Sequence, residues 1–146
     1  MKNKKILTSV FILVGFLIIF SLFAEKKIKR SGDIRIPLSE ISEQAKWYEY
    51  SIDGVKMRFF VVKAEDGSIK TAFDTCDICY KKKRGYRQED KYMVCNNCEN
   101  RYLINNLGTE NENNKGCWPG YLPNRVEDDK IIIKKKELEK GKWRFT

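Results

Sequence analysis

Two kinds of hydrophobic pattern divide the chain. From Ile6 to Ala24 the sequence reads ILTSVFILVGFLIIFSLFA, nineteen residues without a charge. A helix of that length, rising about 1.5 Å per residue, crosses roughly the 30 Å hydrocarbon layer of a bilayer. A cleaved signal peptide would have a shorter apolar core, about 7–15 residues, ending in a small-x-small site. Leu22-Phe23-Ala24 matches that site poorly. The pattern therefore predicts an uncleaved single-pass transmembrane helix within residues 1–24, a charged juxtamembrane linker over 25–36, and a folded domain over 37–146.

Beyond the anchor the hydrophobic period changes to two. Pro37-Leu38-Ser39 predicts a short helical turn with Ser39 as its cap. Trp47–Ile52 and Val55–Lys63 are aromatic and β-branched runs on either side of Asp53-Gly54, a strong hairpin signal. Val55, Met57, Phe59 and Val61 alternate with Lys56 and Arg58, the pattern of a strand with one buried face. Glu65-Asp66-Gly67-Ser68 makes a second turn into Ile69–Phe73, which completes a three-stranded antiparallel meander. Residues 105–116 (NNLGTENENNKG) are polar and aperiodic, hence loop. Lys130–Lys136 and Lys142–Phe145 read as closing strands, and no helical period is evident after the anchor. The predicted class is mostly β, or a small α+β fold, with a meander followed by a cysteine-bearing knuckle module.

Charge and composition sharpen this picture. The net charge is +9, which raises nucleic-acid binding as a function class. Residues 1–30 contribute +6 of it, and the rest of the chain only +3. Basic residues flanking an apolar segment meet anionic lipid headgroups, whereas a nucleic-acid footprint would be a patch on the folded domain. Nucleic acid is therefore not the expected partner. Lys2, Lys4 and Lys5 before the span nearly balance Lys26, Lys27, Lys29 and Arg30 after it, so the positive-inside rule leaves orientation open. Hydrophobic residues make up 42% of the chain, and the anchor takes a large share of them. A thin domain core stapled by a metal is the expectation.

The staple is visible in the cysteines. Cys76-Asp77-Ile78-Cys79 and Cys95-Asn96-Asn97-Cys98 are Cys-x-x-Cys pairs separated by fifteen residues, the spacing of four-thiolate metal sites. Two intervening residues let one tight turn aim both sulfurs at one ion. Cys76, Cys79, Cys95 and Cys98 are thus the expected ligands. Lys81, Lys82, Lys83, Arg84 and Arg87 lie between the pairs and can offset the negative charge of four thiolates, or can simply be a solvated loop. Cys117, in Gly116-Cys117-Trp118-Pro119, reads as a further ligand, a free thiol beside the centre, half of a redox pair, or an inert buried cysteine. Zinc, a single iron and an iron–sulfur cluster can all take four cysteines, with structural zinc leading on general frequency. The absence of histidine excludes a Rieske centre and a haem with a histidine axial ligand. Catalytic thiol–disulfide exchange is the rival chemistry, although neither pair precedes a convincing helix.

In order along the run from Pro37 to Phe145 stand the IPLSEI opening, WYEYSIDGVKMRFFVV, DGSIKTAFDTCDIC, GYRQED followed by YMVCNNCENRYLINNLG, GCWPG and the closing KIIIKKKELEKG. In these motifs the run resembles the FtrD-like family of membrane iron–sulfur proteins. All five cysteines fall on the family's cysteine positions. The resemblance implies an extracytoplasmic redox domain associated with a membrane ferrous-iron uptake system. Its implied partners are an iron permease and a periplasmic iron- or copper-binding protein. It also moves the expected metal from zinc to iron, alone or as an iron–sulfur cluster. The sequence shows no general base, nucleophile or substrate pocket, so a redox carrier or metal-binding protein is expected rather than an enzyme. The alternatives are a structural-zinc interaction module and a thiol–disulfide oxidoreductase.

Overall fold

The Asp53-Gly54 turn carries positive φ at both residues, 48° and 77°, which matches the right-handed twist of the strands it joins. It closes a hairpin of β3 (Lys46–Ile52) and β4 (Val55–Lys63), and β5 (Ile69–Cys76) continues the meander. The computed structural model describes residues 26–27, 32–110 and 116–146. The expected membrane span therefore lies outside the described residues. Within them, β1 (Lys26–Lys27) pairs in parallel with β3. A short strand, β9 (Pro119–Tyr121), pairs antiparallel with β5, giving a central sheet of order β1-β3-β4-β5-β9.

Register sorts the side chains of this sheet onto two buried faces. Tyr48, Phe59 and Phe73 stand in line across three strands, as do Trp47, Phe60 and Ala72 on the opposite face. The first face is covered by β2 (Ile34–Pro37), β10 (Arg125–Glu127) and β11 (Lys130–Ile133), an antiparallel sheet of order β10-β11-β2. Ile34, Ile36, Ile131 and Ile133 pack there on Tyr48, Tyr50, Met57 and Phe59. The second face is covered by β6 (Tyr86–Glu89), β7 (Tyr92–Cys95) and β8 (Arg101–Leu103), which form the third sheet. Phe60, Val62 and Ala72 meet Tyr86, Met93 and Tyr102 beneath it.

This layering corrects three expectations. β4 has one buried face only at its start: Phe59, Phe60, Val61 and Val62 are all fully buried, because both faces of the sheet are covered. The core is accordingly not thin, with fourteen buried residues in the first cluster and thirteen in the second. The closing segment is not two strands. β11 stops at Ile133, α1 (Lys135–Gly141) follows, and Lys142–Phe145 is a 3-10 turn. The run KKELEKG consists mostly of good helix formers, and its one large apolar residue, Leu138, is fully buried. Asp33, distant in sequence, accepts the otherwise orphaned N–H of Lys135 at 3.0 Å and starts the helix. At its other end, Gly141 sits where a Cβ would lie 2.0 Å from Phe73 Cζ, so the helix seats directly on the first core.

The turn expected near Pro37 is present as a 3-10 turn over Leu38–Glu40. Its cap is Pro37, with Ser39 inside the turn and making no capping bond.

Candidate metal centre

Three chain segments deliver cysteine sulfurs to one point beneath the second face of the sheet. Cys76 is the last residue of β5. The chain then turns, and Cys79 begins the 3-10 turn Tyr80–Lys82, which ends on the left-handed Lys83. In this knuckle the Cys79 N–H donates to Cys76 Sγ at 2.8 Å. Cys95 ends β7 opposite Tyr86 of β6, and the tight turn after it closes with the Glu99 N–H donating to the Cys95 carbonyl at 3.0 Å. Cys117 arrives just ahead of β9. Because Pro119 pairs with Cys76, strand register alone brings Cys117 close to the first knuckle.

The sulfurs of Cys76, Cys79, Cys95 and Cys117 all lie within 4.8 Å of one another. Cys76, Cys95 and Cys117 are buried, and Cys79 is half-buried. Cys98 is exposed and stands outside this group. The set brought together thus differs from the one the spacing predicts by one exchange, Cys117 for Cys98. None of the five cysteines is in a disulfide.

Side chains around the thiols fix their positions. Tyr102 donates its hydroxyl to the Cys117 carbonyl, and the Trp118 ring meets Tyr102 edge-on at 5.3 Å. Asn97, inside the second knuckle, donates to Cys79 Sγ at 3.2 Å and so links the two turns. Arg87 holds the second knuckle from outside, reaching Asn96 Oδ1 at 3.0 Å and Glu99 Oε2 at 2.6 Å. Arg144 of the closing turn bonds Asp77 Oδ1 of the first knuckle at 2.8 Å through Nε and 2.7 Å through its terminal nitrogen. The buried Asp74 accepts the Tyr86 N–H at 2.7 Å, tying β6 to the strand that ends in Cys76. Gly85 makes that approach workable: it has φ +64°, and a Cβ there would lie 2.6 Å from Asp74 Oδ2.

Electrostatics follow from this burial. Desolvation pushes the Cys76 thiol up, while hydrogen bonds from Cys117 and from the Cys79 and Ile78 N–H groups pull it down. Burial likewise pushes Cys117 up, and the neighbouring Cys76 adds to the effect. Tyr86 is raised by burial first and by Cys76 and Cys117 next. Its hydroxyl is buried with no hydrogen-bond partner among the described residues. A donor of that kind, within electrostatic reach of three of the four sulfurs, suits a site that carries negative charge when filled.

Sequence reasoning did not single out Asp74, Tyr86, Asn97, Tyr102 or Arg144. Asp74 and Asn97 lie in the cysteine motifs themselves, in Phe-Asp-Thr-Cys and Cys-Asn-Asn-Cys, and had a local signal. Arg144 had none, since its partner Asp77 is 67 residues away.

A sequence model of a family described as membrane iron-sulfur containing protein FtrD-like matches residues 41–145. The chain belongs to the FtrD-like family. Comparisons with curated proteins and with solved structures give no match. The FtrD-like match runs from the start of the meander through all five cysteines to the closing turn. The family is thus described by membrane location and iron–sulfur content. Soft thiolates are the donors that select such metals, and four of them gathered in one place fit a metal of this class. Among the described residues no helix is long and apolar enough to cross a membrane.

Proposed function

We propose that this FtrD-like chain is a single-pass membrane protein whose domain faces outside the cytoplasm and carries an iron centre held by Cys76, Cys79, Cys95 and Cys117. Its function is to pass single electrons to a membrane partner of an iron-uptake system. The observation that carries the reading is the meeting of four sulfurs, three of them buried, from three separate segments.

A thiolate-bound iron supplies one-electron chemistry at a potential set by its surroundings. The chain's own residues supply those surroundings. The Cys79 N–H and the Asn97 amide donate to sulfur, and such bonds stabilise the electron-richer state. Phe60, Tyr86, Tyr102 and Trp118 exclude water from the buried side. On the open side Cys79 is half-buried and Ile78 is 60% exposed. The charged lining of a cavity of about 490 Å³ beside this knuckle is Lys56, Arg58, Lys83, Arg84 and Arg144 against Glu49 and Asp74. The basic excess suits an acidic electron-transfer partner.

The test is the visible absorbance of the full chain, purified in detergent without oxygen. Iron should give colour that bleaches on reduction and returns on oxidation. Colourless protein holding one equivalent of zinc would move the function to a structural module, because zinc has no accessible second oxidation state. Metal-free protein that titrates reversibly between dithiol and disulfide would make it a thiol oxidoreductase. Orientation is tested by placing Ser31→Cys in a Cys98→Ser background. Labelling by a membrane-impermeant reagent in intact cells is expected, and labelling only after lysis would put the domain inside.

A further inference from the structure

We infer that the four gathered sulfurs hold a single metal ion and not a sulfide-bridged cluster. This rests on the reading above that these thiols bind metal, and concerns how many ions they bind. Four thiolates around one ion, at bonds of about 2.3 Å, form a tetrahedron with edges of about 3.8 Å. The sulfurs of Cys79 and Cys117 are 3.7 Å apart, and no pair among the four exceeds 4.8 Å.

A cluster makes a different demand. Each of its irons takes its own thiolates on the outside of an iron–sulfide core. Sulfurs bound to different irons are then separated by the core and by two outward bonds, more than about 5 Å. In a four-iron cluster with four cysteines every sulfur–sulfur separation is of this kind, and in a two-iron cluster four of the six are. Either would force most of the six distances seen here to open at once.

The scaffold opposes that opening. Cys76 and the segment bearing Cys117 are fixed by the pairing of Cys76 with Pro119. Cys95 is fixed by its pairing with Tyr86 and by its N–H bond to the Asn100 carbonyl at 3.0 Å. Tyr86 in turn is bound to Asp74, two residues before Cys76, so the two knuckles cannot separate without breaking a buried bond. Cys98 is the exposed thiol, and it is outside the group.

The experiment uses the full chain in detergent, purified without oxygen and also loaded from the metal-free state with ferrous iron, with and without added sulfide. The expected result is one iron per chain, no acid-labile sulfide, no metal–metal vector in X-ray absorption, and the same uptake whether or not sulfide is supplied. One zinc per chain would uphold the single-ion inference while removing the electron-transfer reading. Two or more irons with matching labile sulfide would overturn the inference and leave the metal-binding reading standing. A chain that takes up neither iron nor zinc would overturn that reading itself. The Cys98→Ser variant should keep one ion per chain, and loss of the ion from this variant would overturn the assignment.

Discussion

Replacing Cys117 and Cys98 separately by alanine distinguishes the geometry of the folded chain from the spacing of its motifs. Structural zinc sites with four ligands are worth about 10–16 kcal/mol at neutral pH, so on that scale one ligand in four carries about 2.5–4 kcal/mol. Cys117 is one of the four gathered sulfurs and is buried, 8% exposed. Cys117→Ala should therefore weaken metal binding by roughly two to three orders of magnitude. Cys98 is exposed and outside the group, where a substitution costs within about 0.5 kcal/mol, roughly twofold. A third variant separates ligation from positioning. Tyr102→Phe deletes the bond to the Cys117 carbonyl but no sulfur, at about 1 kcal/mol or roughly fivefold. Competition against a chromophoric chelator measures all three on one scale. If Cys98→Ala released the metal while Cys117→Ala retained it, the assignment from the gathered sulfurs would be refuted.

Further variants probe the scaffold. Gly85→Ala places a Cβ 2.6 Å from Asp74 Oδ2 at φ +64°, and should destabilise by about 1–3 kcal/mol in a thermal melt; an unchanged melt would mean that Asp74 yields freely. Arg144→Ala removes the clamp on Asp77 from a side chain only 14% exposed, and should cost about 1–2 kcal/mol while also loosening metal in the chelator assay. The Asp33 carboxyl is held below its ordinary value of 3.8 by the hydrogen bond from Lys134 first and the Lys135 N–H next. A lowered folded pKa means this contribution is present above about pH 4 and lost as pH falls through the folded value. Asp33→Asn should flatten that part of the acid unfolding profile, and an identical profile would count against the helix-start role. Chelation should raise hydrogen exchange in β6–β8 well before β2, β4 and β11, and uniform loosening would contradict the division into two cores.

The meander was legible because its signals are local: an Asp-Gly turn and an alternating strand need no distant partner. Burial of Phe60 and Val62 was not, because the layer that covers them is built from β6–β8, beyond the second turn. The helix after β11 was misread for a similar reason. Lys135–Gly141 has a single large apolar side chain to show a period, and the carboxylate that starts it comes from Asp33. At the centre, the two Cys-x-x-Cys pairs announced a cluster, yet sequence spacing counts residues and not register. Cys98 completes a Cys-x-x-Cys pair but is exposed, whereas Cys117 belongs to no such pair and is brought in by the pairing of Pro119 with Cys76.

The origin of the four sulfurs also bears on the proposed role of a metal held there. A protein that takes up and releases iron needs ligands that can let go, which calls for mobile loops with few fixed neighbours. An electron carrier needs the opposite, ligands that stay in place while the charge of the centre changes. Cys76 and Cys95 are terminal residues of paired strands, and Cys117 is two residues ahead of a third. Their knuckles are cross-linked by Asn97 to Cys79 and by Asp74 to Tyr86. The sheet that holds Cys76 also rests, on its other face, on an apolar cluster containing no cysteine, so that part of the scaffold does not depend on the metal. A site built this way keeps its shape through a one-electron change and resists opening to release an ion. These fixed ligands support the proposed electron-carrier role over a role in handling iron as cargo.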